Sequence, residues 1–346
     1  MKHYMLNNDI IKTMNIELLD EKPRKIWTGV FVGTVVCITV VCLFIMNINY
    51  DTLARYPYKD ERSRELIKEY LDKDEIDYII EYSIAPNMFI SFITAEDFNI
   101  YHAVEYKKLS ETMWMETPNH IVEMIEKTRD YIDVDTLASY LQEYSFDDIE
   151  AYLTKTDSYS EGSKLLTNPS ASDVYLDSTH TISTRIPNNL QELNENVPSN
   201  YKILVDERIQ EPLQNLCNSI QSELDSNSGC GGLFVSAGYI SYDSQKTLYE
   251  ESNDEYYVSK PGHDEHQLGL AVDFEVDGIL NENFNLTEQA EWLEKNAWQF
   301  GFVQTYTDSN TSHSPESYHY RYVGIEIARQ IHDSQIDFET YSQNKK

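Results

Sequence analysis

The chain has 346 residues, 59 Asp and Glu against 27 Lys and Arg, a formal net charge of −32 and four cysteines. That length suffices for a sizeable core and two folded units. The acidic balance argues against nucleic acid as a partner, because neutralising phosphates requires basic surface; it suits a solvated exterior and names no substrate.

The first element is apolar. Residues 26–46, IWTGVFVGTVVCITVVCLFIM, run for 21 positions without a charge, and a helix of about 20 residues spans the bilayer hydrocarbon. Lys22, Arg24 and Lys25 precede this stretch, and Asp51 and Arg55 are the first charges after it. The positive flank predicts a cytoplasmic tail over 1–25, one transmembrane helix over 26–46, and an extracellular remainder. A secretory signal peptide is the rival reading, but no small-residue cleavage site follows. A buried soluble helix would not be apolar on every face. The part after the membrane holds 22 basic and 55 acidic residues, a net −33.

Cys37 and Cys42 lie in the apolar run and behave as small apolar side chains. Cys217 and Cys230 are thirteen positions apart. They either pair in an oxidising space or stay as thiols, and their spacing is not that of a cysteine zinc site.

Residues 51–156 predict a helical extracellular region. RSRELIKEYL, NHIVEMIEKTRDYI and VDTLASYLQEY place apolar residues at three- and four-residue steps with acids between. The fragments YLDKDEIDYIIEY and YLQEYSFDDIEAYL share a local construction without a fixed repeat period. Residues 157–196, rich in Ser, Thr, Asn and Pro, predict a polar linker of limited order. Residues 197–343 mix short strands (KILV, GLFVSAGYI, LGLAVDFEV, GFVQTY, YHYRYVG) with helices (SYDSQKTLYEESN, TEQAEWLEKNAWQF, GIEIARQIHD). Without regular βαβ spacing this predicts an α+β domain with a small mixed antiparallel sheet.

Within LAVDFEV the period of two sends Leu270, Val272, Phe274 and Val276 to one face and Ala271, Asp273 and Glu275 to the other. His266 stands seven residues before Asp273, in a loop that Gly269 turns into the strand. Further on, PESYHYRYVG offers Glu316 and, three residues later, His319, which shares a strand face with Arg321 and Val323. Neutral imidazoles and a carboxylate bind zinc, three such ligands leave one position for water, and an unligated acid such as Glu316 can move the proton. No HExxH helix is present. His263 competes with His266 as a ligand, and His313, in SNTSHSPES, reads as a surface residue or substrate contact.

Taken together and in order, GYISYDSQ, KPGHDEHQLGLAVDF, WLEKNAWQFGFV and ESYHYRYVG resemble the zinc D-alanyl-D-alanine carboxypeptidases of the VanY type, within the peptidoglycan peptidases of the LAS-type fold. The resemblance covers roughly 201–335. It implies Zn2+ held by His266, Asp273 and His319, with Glu316 as catalytic base. It also implies that a D-Ala-D-Ala-ended stem peptide or precursor is the partner, at the wall of a Gram-positive type of bacterium. Ser236, Tyr239, Ser241, Gln245 and Gln267 are the expected substrate contacts. The pattern departs at Ile240, where the family writes arginine, at Gln304-Thr305 before Tyr306, at Asp264 and Leu268 around the first ligand, and mildly at Tyr318. A terminal carboxylate calls for a cation, so Arg321 and Lys260 are the expected substitutes. The departure at Ile240 also admits cleavage of an L,D or internal bond, or a wall-binding module without activity.

Overall fold

The computed structural model describes residues 9–48, 53, 57–199, 201–224, 227–252, 254–310 and 313–345, with backbone alone for 9–26 and 47–48. The chain divides into two compact units, Met1–Ile93 and Thr94–Lys346. That division falls inside the helical region expected over 51–156. The flanking charges Asp51 and Arg55 lie outside the described residues.

In the first unit, helix α1 (Asp9–Ile48) carries one stretch long and apolar enough to cross a membrane, Trp27–Met46. Within it, the hydroxyls of Thr34 and Thr39 donate to the carbonyls of Val30 and Val35, four residues back, at 2.9 and 2.8 Å. A hydroxyl satisfied by its own helix presents no bare donor to hydrocarbon. Helices α2 (Glu61–Tyr70) and α3 (Lys73–Glu81) follow and bury Ile67 and Ile79. The Tyr58 hydroxyl lies 2.6 and 2.7 Å from the carbonyls of Ile79 and Ile84.

The second unit opens with α4 (Ala103–Thr112), α5 (Pro118–Thr128), α6 (Val134–Tyr140) and α7 (Phe146–Leu153). Capping boxes at Asp72–Glu75 and Ser145–Asp148 start α3 and α7. They give physical content to the likeness of the two sequence fragments.

The segment 157–196 is not the loosely ordered linker its composition predicts. Asp157, Ser160, Ser163, Thr181, Ser183 and Arg185 are buried. The Asp157 carboxylate accepts from the Ser183 hydroxyl at 2.8 Å and also from Ser160 and Tyr242. Arg185 donates to the Glu143 carbonyl at 2.9 Å. The hydroxyls and charges of this segment satisfy one another inside the protein, so polarity here signals a buried network and not solvation. Strands β1 (Lys164–Leu165) and β2 (His180–Thr181) pair in parallel within it.

Next, β3 (Leu190–Glu192) pairs antiparallel with β4 (Leu204–Asp206), and α8 (Glu207–Glu223) follows. Four strands then form the central sheet: β5 (Leu233–Ala237), β6 (Ala271–Val276), β7 (Phe302–Val303) and β8 (His319–Tyr322). Their order is β5-β6-β8-β7, with every neighbour antiparallel. Helix α9 (Tyr242–Ser252) joins β5 to β6, and α10 (Glu288–Asn296) joins β6 to β7. Helices α11 (Ile325–Ser334) and α12 (Phe338–Asn344) follow β8. Leu270, Val272 and Phe274 share one core with Leu213, Leu216 and Ile220 of α8 and Leu293 of α10. Because the alternation spends that face of β6 on the core, Asp273 is left for the opposite one.

Cys217 of α8 is bonded to Cys230 in the turn before β5. Replacing both by serine is expected to lower stability by about 2–4 kcal/mol, by freeing the unfolded chain. Urea unfolding of the full chain under oxidising conditions measures this.

Candidate metal centre

The register of the sheet brings the first two side chains together. Asp273 of β6 lies directly opposite His319 of β8, with Ala237 of β5 on its other side. Opposed residues of an antiparallel pair hold their Cβ atoms about 4.5–5.5 Å apart, close enough for side chains to meet. His266 comes from the loop before β6. The Asp264 carboxylate accepts the His266 N–H at 2.8 Å and starts a single 3-10 turn, Glu265–Leu268. Gly269 ends that turn at φ 72°, where a Cβ would meet Leu190 Cδ2 at 2.8 Å. Glycine adopts this left-handed reversal without the strain a side chain would bring.

The ring Nδ1 of His266 donates to the Gly238 carbonyl at 2.7 Å, and its Nε2 lies 3.2 Å from Asp273 Oδ1. His319 Nδ1 reaches the same Asp273 oxygen at 2.9 Å, while its Nε2 lies 3.1 Å from Glu265 Oε2. The three ligand atoms all lie within 4.8 Å of one another. Zinc bonds of about 2.0–2.2 Å set tetrahedral ligands roughly 3.3–3.6 Å apart, so this donor set fits zinc with small adjustments.

The charges are those a cation site needs. Burial pushes the Asp273 carboxyl up, but the two imidazoles outweigh it and hold the group well below the usual carboxylate range. Burial pulls both imidazoles down, yet Asp273, joined at His319 by Glu265, leaves them raised. Glu265 is buried; Arg321 and His319 overcome its desolvation and keep it ionised. Glu316 differs, because burial dominates there and raises its carboxyl. Its backbone N–H donates to the Tyr306 carbonyl at 2.9 Å, and its carbonyl accepts the His319 N–H at 3.2 Å. Glu316 lines an open groove with Tyr256, Gln304, Asp308 and Tyr318.

The other expected residues fall into two groups. Ser236, Tyr239 and Ser241 are half-buried where β5 leads into α9. The Ser236 hydroxyl donates to the Asp273 carbonyl at 3.4 Å, and Ser241 caps α9 by accepting the Ser244 N–H at 3.2 Å. Gln245, Gln267 and Arg321 are instead buried, as the proposed ligands His266 and His319 are. The Gln245 amide donates to the Ser259 carbonyl at 2.8 Å, and Gln267 accepts the Gly262 N–H at 2.6 Å, so both brace the metal loop. Arg321 is 0% exposed and binds Glu265 at 2.8 Å. Lys260 pairs with Glu255 at 2.8 Å.

His263 does not join the cluster; its ring is held by the carbonyls of Asp177 and Tyr159 at 2.7 and 3.2 Å. His313 is buried and not on the surface, stacked at 4.0 Å on Tyr306, which in turn stacks at 4.6 Å on His319. Glu265 and Thr305 were not anticipated. The available signal was Arg321, placed two residues from His319 on one strand face, since a buried guanidinium requires an acid.

Residues 202–325 match the family model of VanY, D-alanyl-D-alanine carboxypeptidase. The D-alanyl-D-alanine carboxypeptidase of Enterococcus faecalis is 32% identical over 163 residues, which are 41% of this chain and 57% of that protein. The chain spans about half the length of the curated relatives it matches. Among solved structures, the LdcB LD-carboxypeptidase is 25% identical with a TM-score of 0.48, over 53% of this chain and 91% of that one. A variant of the vancomycin resistance D,D-pentapeptidase VanY, in complex with Zn(II), is 27% identical with a TM-score of 0.39, over 49% of this chain and 98% of that one.

Proposed function

We propose that this chain, whose residues 202–325 form a VanY-type carboxypeptidase domain, is a zinc-dependent D,D-carboxypeptidase that removes the terminal D-Ala from peptidoglycan stem peptides or precursors. The observation that carries this is the convergence of His266, Asp273 and His319, from a loop and two strands, on a space one ion would fill. Zinc held there supplies Lewis acidity towards the scissile carbonyl and brings water towards ionisation near neutral pH. Glu316 takes the proton of the attacking water on its carboxylate and returns it to the leaving amine. Its raised carboxyl suits that exchange better than an ordinary solvated acid would. The reading further includes a membrane anchor at Trp27–Met46. The basic residues before it set an extracellular domain facing the cell wall.

A second reading keeps the metal and changes the bond. Ile240 stands where the family writes arginine, Arg321 is buried, and the described residues lining the groove include no Lys, Arg or His. This favours an internal bond, L,D or otherwise, which presents no free terminal carboxylate to be recognised.

One assay separates the two. The full chain is incubated with muropeptides ending in D-Ala-D-Ala, and the products are weighed by mass spectrometry. Loss of a single terminal D-Ala, abolished by a chelator and restored by zinc, is the expected result. Chelator-sensitive cuts elsewhere favour the second reading, and cleavage that ignores the chelator defeats both.

A further inference from the structure

We infer that Glu265 is a positioning residue of the metal centre: it locks the His319 imidazole with Nδ1 turned to Asp273 and Nε2 turned away. The inference rests on the zinc reading above and adds to it the element that decides which nitrogen serves as ligand.

The two nitrogens of an imidazole are distinct, and the bond made by one fixes the role of the other. An ionised carboxylate only accepts hydrogen bonds. With Glu265 Oε2 at 3.1 Å, Nε2 of His319 keeps its hydrogen, so the nitrogen that gives up a proton to a metal is Nδ1, which faces Asp273 at 2.9 Å. His266 has the reverse arrangement, since the Gly238 carbonyl at 2.7 Å takes its Nδ1 hydrogen and frees Nε2. Two acceptor-only groups thus hold opposite nitrogens of the two rings, and the nitrogen left to each ring for a metal turns towards Asp273.

Glu265 is itself built into place. It is 1% exposed and His319 is 0% exposed, so neither is oriented by water. Arg321 Nη1 binds Glu265 Oε1 at 2.8 Å, and the Thr305 hydroxyl donates to Oε2 at 2.6 Å. The guanidinium lies 5.1 Å from the centre of the Phe338 ring and donates to the Ser172 carbonyl at 3.3 Å. The arginine expected to meet substrate therefore acts one step behind the metal, as counter-charge to the carboxylate that holds a ligand.

The test uses the full chain in detergent and zinc itself as the probe. Zinc affinity is read by competition with a chromogenic chelator for the parent, Glu265→Ala, Glu265→Gln and the double variant Glu265→Gln/Arg321→Met. Removing the outer partner of a metal-bound histidine typically weakens binding by about 10–100-fold, and that loss is expected for Glu265→Ala. Should Glu265→Ala not fold, Glu265→Gln keeps the shape and is expected to weaken zinc in the same direction. The double variant removes both buried charges, so its melting temperature recovers towards the parent while its zinc affinity stays low. In the cobalt-substituted parent, the exchangeable Nε2 proton of His319 gives a shifted resonance that the alanine variant loses. Folded variants that bind zinc as tightly as the parent overturn the inference and leave the zinc reading intact. A parent that takes up no zinc removes both.

Discussion

Replacing Glu316 by glutamine is expected to lower turnover of a D-Ala-D-Ala-terminated peptide by about 10²–10⁴-fold, the usual worth of a positioned general base, with zinc content unchanged. Glutamine keeps the size of the side chain and removes its basic carboxylate, so the loss isolates proton transfer. Burial raises the Glu316 carboxyl above the ordinary glutamate range, against the pull of His319 and His313. The base works ionised, so activity falls as pH drops through this raised value. The acid limb of kcat/KM therefore sits above the position a solvated glutamate would give, and Glu316→Gln abolishes that limb together with the rate. Rate profiles of parent and variant against pH, with zinc measured on the same samples, check the claim. A variant retaining parental turnover would move the base to another residue.

The sheet that carries this chemistry was legible in the sequence because β6 is amphipathic by strict alternation. Leu270, Val272 and Phe274 could only face a core, which left Asp273 on the other side. His319 was legible through its spacing from Glu316, and the strand register then placed it opposite Asp273. What composition misjudged were the buried polar contacts outside the ligand set. Segment 157–196 looks solvated, yet Asp157 binds hydroxyls inside the protein. Arg321 looks like a free cation, yet it is spent on Glu265. The polarity of a side chain does not reveal whether water or another side chain will satisfy it; only the packing of distant segments decides that. His313 and His263 illustrate the same limit, since rings in polar loops became a stacking partner and a backbone clamp.

Asp273→Ala is expected to remove both zinc uptake and activity, with a loss of affinity beyond the ~10–100-fold of an outer partner. Asp273 Oδ1 contacts both imidazoles, at 3.2 and 2.9 Å, so its loss takes a ligand and the anchor of two others. The electrostatics add a signature that simple unfolding would not mimic. Asp273 holds both imidazoles raised, and they hold it low. Zinc binds neutral imidazole, so uptake by the parent must expel those protons, and its affinity climbs as pH rises. After chelation the sign reverses. The raised histidines stabilise the fold fully below their unfolded pKa of about 6.5 and lose that contribution as pH rises through the folded value. The depressed carboxylate contributes above about 3.9 and loses its share as pH falls. The chelated parent should therefore melt higher in mildly acid than in alkaline buffer, whereas Asp273→Ala should lose the share of His266 and keep only the part of His319 that Glu265 supports. Melting curves at acid and alkaline pH, run with and without zinc, decide the matter. A chelated parent whose stability ignores pH across that window would mean that the three side chains do not form one charged unit, and the metal centre would lose its physical basis.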